Sequence, residues 1–252
     1  MRPLFLPQIP SYWRAVRAPR YSLTFASPLL ATYELLAFTL SGHAMSGVRN
    51  GADVLLKSLF VQFGGQDGLI AFGALLLGTG LLLVWRDLRR GGSLQARYFL
   101  FMAAESVAYA LVFGLVVGML TGILLGGIVL ASAAGAGAQV SELSLAAQLV
   151  ISLGAGIYEE LLFRVVLVGS LAWLARAVFG WTPAWAGVFA TIIGALIFSA
   201  FHYVGPYGDP LELPSFTFRT LAGLVFSALY LTRGFGITAW THALYDVFFA
   251  LG

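Results

Sequence analysis

The stretch 145–179, LAAQLVISLGAGIYEELLFRVVLVGSLAWLARAVF, is apolar along its length, and its only charged residues are Glu159, Glu160, Arg164 and Arg176. A helix needs about 20 apolar residues to cross the roughly 30 Å hydrocarbon core of a bilayer, so this run exceeds one ordinary span. It is expected to hold an approach segment and then a helix of ordinary length beginning near Gly154 or Gly156. An ionisable side chain at mid-membrane costs about 2.5–3.5 kcal/mol on insertion scales. Glu159, Glu160 and Arg164 therefore need partners or a task, which points to a helical bundle with a polar interior.

The rest of the 252 residues agrees. Hydrophobic residues make up 60% and charged residues 10%, and the mean hydropathy is +0.90. Fourteen basic and 11 acidic residues are too few to solvate a globule, which excludes a soluble enzyme, a disordered chain and a nucleic-acid module. With no cysteine, a disulfide scaffold and thiol chemistry are excluded too. The net charge of +3 names no acidic ligand, because the basic residues cluster beside apolar runs, where they act as anchors and topology signals.

Further runs of spanning length occur at 22–41, 68–85, 98–120, 182–203, 217–232 and 236–251. The expected fold is all-α, a polytopic transmembrane bundle of about seven spans within a range of six to eight. The range is open because the Gly/Ala-rich stretch Thr121–Ala138 either re-enters or completes another crossing. The segment ADVLLKSLFVQFG (52–64) is too short and too charged to span, and its apolar face suits the interface. Arg2, Arg14, Arg17 and Arg20 precede the first span, and Arg86, Arg89, Arg90 and Arg97 separate the second and third. Both segments, and with them the N-terminus, are expected on the cytoplasmic side.

Three polar clusters interrupt the later helices: Tyr158-Glu159-Glu160 through Arg164, Phe198 through His202, and His242 through Asp246. Glu160 and Arg164 have the i,i+4 spacing of an intrahelical ion pair with the acid N-terminal. Glu159 is then left as the unpaired carboxylate, the group best read as a general base. Phe198 sits one turn from His202, and Asp246 one turn from His242, where a carboxylate can fix an imidazole tautomer. Taken singly, each cluster reads equally as a helix-end ion pair or a polar clamp between helices. Together they can satisfy one another around one wet cavity, and the chemistry such a set supports is hydrolysis. Ser199, near His202, has no elbow motif around it.

These residues resemble the CPBP membrane proteases, the family of type II CaaX prenyl endopeptidases and of bacterial abortive-infection and bacteriocin-immunity proteins. Its pattern is E-E-x-x-x-R, F-x-x-x-H and H-x-x-x-N or the aspartate variant, matched here by Glu159, Glu160 and Arg164, by Phe198 and His202, and by His242 and Asp246. The resemblance covers about the last hundred residues. With hydropathy alone placing the first 140 or so residues, the chain divides into an interfacial segment 1–21, N-terminal transmembrane helices and connections 22–143, and a catalytic helical core 144–252. The resemblance bears on the last of these. It implies an intramembrane endopeptidase acting on a membrane-associated protein or peptide, in which Glu159 and His202 activate water. His242 and Asp246 then form the oxyanion site, and Glu160 and Arg164 hold the geometry. The implied setting is a bacterial or archaeal cell membrane, with the bilayer and the substrate as partners; the oligomeric state is left open.

Two positions depart from the family pattern. Val165 follows the arginine where many members have glycine, and Asp246 stands where better-understood members carry asparagine. An ionised aspartate cannot donate to an oxyanion, so Asp246 is read as orienting His242. A metal-free mechanism with no cofactor leads. The alternatives are a zinc-dependent version of the same protease, with two histidines and a glutamate as ligands, and a non-catalytic scaffold or immunity protein that binds a peptide in the cavity. A proton-relay transporter is disfavoured because the early helices offer no matching half.

If the fourth helix starts outside near Gly154, Glu159 and His202 both lie toward the external face. Glu34 and Glu105 fall within expected spans and read as structural pairs with no partner identifiable from spacing. His43 reads as a loop residue, and GPYGDPLELPS (205–215) as a lip over the cavity. Trp181, Trp185 and Trp240 read as interfacial or packing residues.

Overall fold

The computed structural model of the chain describes residues 9–41, 47–91, 94–126, 140, 143–205 and 208–251. Among these residues the regular structure is helical throughout: α1 (Ile9–Ala15), α2 (Pro19–Ser41), α3 (Gly51–Gly64), α4 (Asp67–Gly91), α5 (Ala96–Leu124), α6 (Leu145–Phe179), α7 (Pro183–Phe201), α8 (Leu213–Arg233) and α9 (Phe235–Leu251). Local chemistry fixes several starts. Asn50, Ser144 and Thr182 cap α3, α6 and α7 by accepting a backbone N–H from Ala52, Ala147 and Trp185. Pro183 occupies the first turn of α7, where no N–H is needed. Gly234 alone joins α8 to α9 at φ 83°, with the Arg17 backbone so near that a Cβ would lie 3.0 Å from its Cα.

Five helices, α2, α4, α5, α6 and α7, are long and apolar enough to cross a membrane. The last two expected spans fall outside that set for different reasons: α8, of 21 residues, carries Arg219 and Arg233, and α9 has 17 residues. α9 is the central post of the bundle, packed against α2, α5, α6 and α8, so little of it needs to face lipid. Leu81, Leu100, Leu111, Leu115 and Ile123 on α4 and α5 point outward, while Asp53, Glu160, Arg164 and Arg233 are buried. Charges inside and leucines outside are what a hydrocarbon solvent selects.

The same inversion governs α3. Its inner face carries Asp53 and Lys57, its outer face Leu55, Leu59 and Phe63, the orientation an interfacial helix requires. The charges are absorbed by α2 and α6. Glu34 and Glu105, whose partners spacing alone could not identify, prove to be structural: Glu34 pairs with Lys57 and Arg49, and Glu105 with Arg233, whose guanidinium lies 3.8 Å from the Trp13 ring centre. Trp240 packs inward, its Nε1 donating to Phe25 O at 2.7 Å, whereas Trp181 and Trp185 are exposed.

The run 145–179 corrects the expected approach segment followed by an ordinary helix. It is one continuous 35-residue helix, because the glycines at 154 and 156 serve close packing and leave the backbone helical. Its start at Leu145 sets Glu159 well inside the helix, so the depth assigned from a start near Gly154 does not hold. α5 continues through the first residues of Thr121–Ala138 to Leu124. The rest of that stretch from residue 127 onward, like His43 and residues 1–8 of the interfacial segment, lies outside the described residues.

Candidate active site

Within α6 the hydrogen-bonding changes from α to π over Ala155–Glu159 and again over Leu161–Val168. Such wide turns are uncommon and concentrate at functional sites. Here they carry Glu159 and Arg164, with Glu160 between the two turns, and bring α6 tightly against α9. At Gly156 any Cβ would collide with the Ala239 carbonyl oxygen, so glycine is what permits that contact.

Glu160 is fully buried between two cations or potential cations. Its Oε1 accepts from His242 Nδ1 at 2.7 Å, and its Oε2 lies 3.1 Å from Arg164 Nε. Arg164, likewise buried, sits over the Phe198 ring at 4.5 Å and the Phe226 ring at 5.5 Å, so aromatic faces supply much of the stabilisation that water would otherwise provide. Glu159 faces elsewhere. Its Oε1 accepts a hydrogen bond from Asn50 Nδ2 at 2.8 Å, a neutral donor that spacing did not foresee, while Arg164 pairs with Glu160. Its Oε2 has no hydrogen-bond partner among the described residues and lies 3.9 Å from His202 Nε2.

The protonation of His202 follows from its other nitrogen. Nδ1 lies 2.9 Å from Phe198 O, and a carbonyl can only accept, so Nδ1 carries the hydrogen and Nε2 of the neutral ring is left with a lone pair. Two acceptors, Glu159 Oε2 and His202 Nε2, thus confront one another at a separation that one water can bridge by donating to both. His242 is held from both sides, by Glu160 at Nδ1 and by Asp246 Oδ2 3.5 Å from Nε2. Phe198 meets His202 edge-on at 4.9 Å, and Phe226 stacks on His242 at 4.3 Å. The side chains of His202 and Asp246 are 26% and 30% exposed, against 10% for Glu159, so the cluster opens on the His202–Asp246 side.

All six residues expected at the site are therefore in one cluster. Ser199 is not presented as a nucleophile: its Oγ donates to Phe216 O at 2.8 Å. The loop after α7 is tied to the site by the Asp209 N–H donating to His202 O at 2.9 Å and by Arg219 Nη2 pairing with Asp209 Oδ2 at 2.5 Å. Among the described residues no three His, Asp or Glu side chains stand together as a set that could hold a metal ion.

Spacing missed Phe226, Arg219 and above all Asn50. The signal for Asn50 was only that of a helix cap. Around it a buried network ties α2, α3 and α6 together. Tyr33 OH accepts the Asn50 N–H and donates to Asp53 Oδ2 at 2.7 Å; Asp53 binds Arg49 and Lys57, each at 2.7 Å; and Tyr158 OH donates to Glu34 Oε1. Burial alone would lower the pKa of the Arg49 guanidinium, but the hydrogen bond and charge of Asp53, with Glu34 beside it, hold it above its usual value. The network therefore keeps its cation.

Residues 141–248 match the family described as Type II CAAX prenyl endopeptidase Rce1-like. No curated protein and no solved structure gives a significant match to the chain. The matched segment contains every motif residue from Glu159 to Asp246, supports an intramembrane endopeptidase of the CAAX type, and implies a membrane-associated peptide substrate in a bilayer. With its motif residues gathered in one buried cluster among helices long and apolar enough to cross a membrane, the segment 141–248 is similar to the CAAX-type membrane proteases that this family model describes.

Proposed function

We propose that this protein is a glutamate-type intramembrane endopeptidase that hydrolyses a peptide bond of a membrane-associated protein or peptide. The observation that carries the reading is the pair of facing acceptors, Glu159 Oε2 and His202 Nε2, 3.9 Å apart. A water donating one hydrogen to each has its oxygen lone pair directed away from both, toward a carbonyl carbon entering from the open side. As the O–C bond forms, Glu159 takes the water proton and the carbonyl π pair moves onto oxygen. His242, held between Glu160 and Asp246 with a hydrogen on each nitrogen, offers Nε2–H to that oxyanion. Asp246 acts by orienting the ring, since a carboxylate cannot donate. Collapse re-forms C=O, breaks C–N, and returns the proton from Glu159 to the leaving amine, giving a carboxylic acid and an amine. Arg164 holds Glu160 in place, and Glu160 in turn fixes His242. In this reading the N-terminus is cytoplasmic and the catalytic core spans 144–252.

The test compares new protein termini in membranes from cells carrying the wild-type chain and Glu159→Gln at equal abundance, with a chelator-treated wild-type sample alongside. Termini that vanish with the substitution and persist with the chelator are the expected result. Termini independent of Glu159 overturn the reading in favour of a peptide-binding scaffold, and termini lost with the chelator move it to a metal-dependent protease.

A further inference from the structure

We propose that Asn50, on the connection between α2 and α3, is a positioning residue for Glu159. The inference rests on the glutamate reading above and adds to it a residue outside the matched segment 141–248. The amide of Asn50 has both ends assigned. Its Oδ1 accepts the Ala52 N–H at 2.9 Å as the cap of α3, which leaves Nδ2 pointing at Glu159 Oε1, 2.8 Å away. A flipped amide would lose the cap and face a carboxylate with its own oxygen. With Oε1 engaged, the carboxyl plane of Glu159 is set, and Oε2 is the atom turned to His202.

The backbone of Asn50 is itself fixed. Its N–H donates to Tyr33 OH at 3.1 Å, and its Cβ lies against Gly154, where any side chain would collide with it. Asp53, one turn into α3, locks that helix through Arg49 and Lys57. The charged and titratable groups that reach Glu159 are His202 of α7, His242 and Asp246 of α9, and Arg164 of its own helix. The acids of α2 and α3, Glu34 and Asp53, bear on Tyr158 instead. Asn50 is thus the neutral donor in an otherwise ionisable shell, able to hold Glu159 without neutralising it.

Two substitutions separate this role from helix capping. Asn50→Ser keeps an oxygen to cap α3 but removes the amide donor; Asn50→Asp keeps the cap and sets a second carboxylate against Glu159. Both are expected to yield folded protein, with thermal unfolding lowered modestly in Asn50→Ser and more in Asn50→Asp, while kcat per folded molecule falls about 10- to 100-fold with KM little changed. The acid limb of the kcat/KM–pH profile should move to higher pH in both, by about one unit or more in Asn50→Asp, because the ionised carboxylate has lost the donor that favours it. The same displacement is readable without turnover, as the pH at which the protonated carboxyl stretch of Glu159 appears in the infrared difference spectrum, identified by its loss in Glu159→Gln. Wild-type kinetics and an unmoved infrared titration in both variants overturn the role of Asn50. Loss of folded protein in both with an unmoved titration reduces it to a cap. A wild-type chain whose cleavage ignores Glu159 overturns the glutamate reading instead, and the infrared titration still decides the inference about Asn50.

Discussion

The stretches 9–126 and 143–251 solve the same problem, charges in hydrocarbon, in opposite ways. In the later stretch the polar residues come in i,i+4 pairs, Glu160 with Arg164 and His242 with Asp246, then meet across helices in one cluster open to solvent at His202 and Asp246. In the earlier stretch Glu34, Arg49, Asp53 and Lys57 cancel one another in a network closed by its own ion pairs, with Glu34 36% exposed at its edge, and Asn50 links it to Glu159. A cluster with an acceptor left open can do chemistry, whereas one closed by its own pairs supplies rigidity. The comparison teaches that a polar group in a membrane bundle is informative according to whether its valences are already spent.

That contrast can be broken at several points. Glu159→Gln should reduce kcat by about 10²–10⁴-fold, measured on a cleaved membrane peptide, with unfolding unchanged; residual activity near wild type would remove Glu159 from the open class. Arg164→Leu leaves Glu160 buried with only His242 beside it, and should cost about 3–5 kcal/mol of stability in detergent unfolding as well as activity. A stable, inactive Arg164→Leu protein would show that the pair is not structural. Asp53→Asn takes one charge from the closed network and strands Arg49 and Lys57 on Glu34 alone. An expected loss of about 3 kcal/mol, with activity falling only as far as folded protein falls, would keep the network purely structural.

Smaller changes sharpen the same division. Ser199→Ala removes one hydrogen bond to Phe216 O and should lower stability by about 1 kcal/mol, with kcat retained; a large fall in kcat would bring back a serine nucleophile. Gly78→Ala, at a position of α4 where a Cβ meets nothing within 4 Å, should move the melting temperature least of all, by the equivalent of about 0.5 kcal/mol.

The later stretch was legible because its chemistry repeats at helical spacing, so Glu159, Glu160, Arg164, His202, His242 and Asp246 could be named before any contact was seen. The apolar periods also pointed to the helical bundle, and the shortness, charge and one-sided apolar face of 52–64 set that segment apart from the spans. Asn50 was not legible because its partner lies 109 residues away, and because a lone asparagine before a helix is already explained as a cap. Phe226 is one of 20 phenylalanines, and stacking on His242 leaves no periodic trace. The π turns of α6 were hidden for a different reason: a shift from i→i+4 to i→i+5 bonding has no strong residue signature, and it was the glycines that suggested a helix start.

The unbroken length of α6 has a consequence beyond the cluster it carries. Thirty-five residues at 1.5 Å each make a rod of roughly 50 Å, set in a hydrocarbon film of about 30 Å. Such a rod leans steeply or stands proud among the headgroups, and in both cases the lipids beside it are not at their relaxed thickness. Mismatch of this kind costs fractions of a kcal/mol per Å, summed along the helix. Acyl-chain length is thereby a variable to which this protein is mechanically sensitive, so membranes of different thickness will host it on unequal terms.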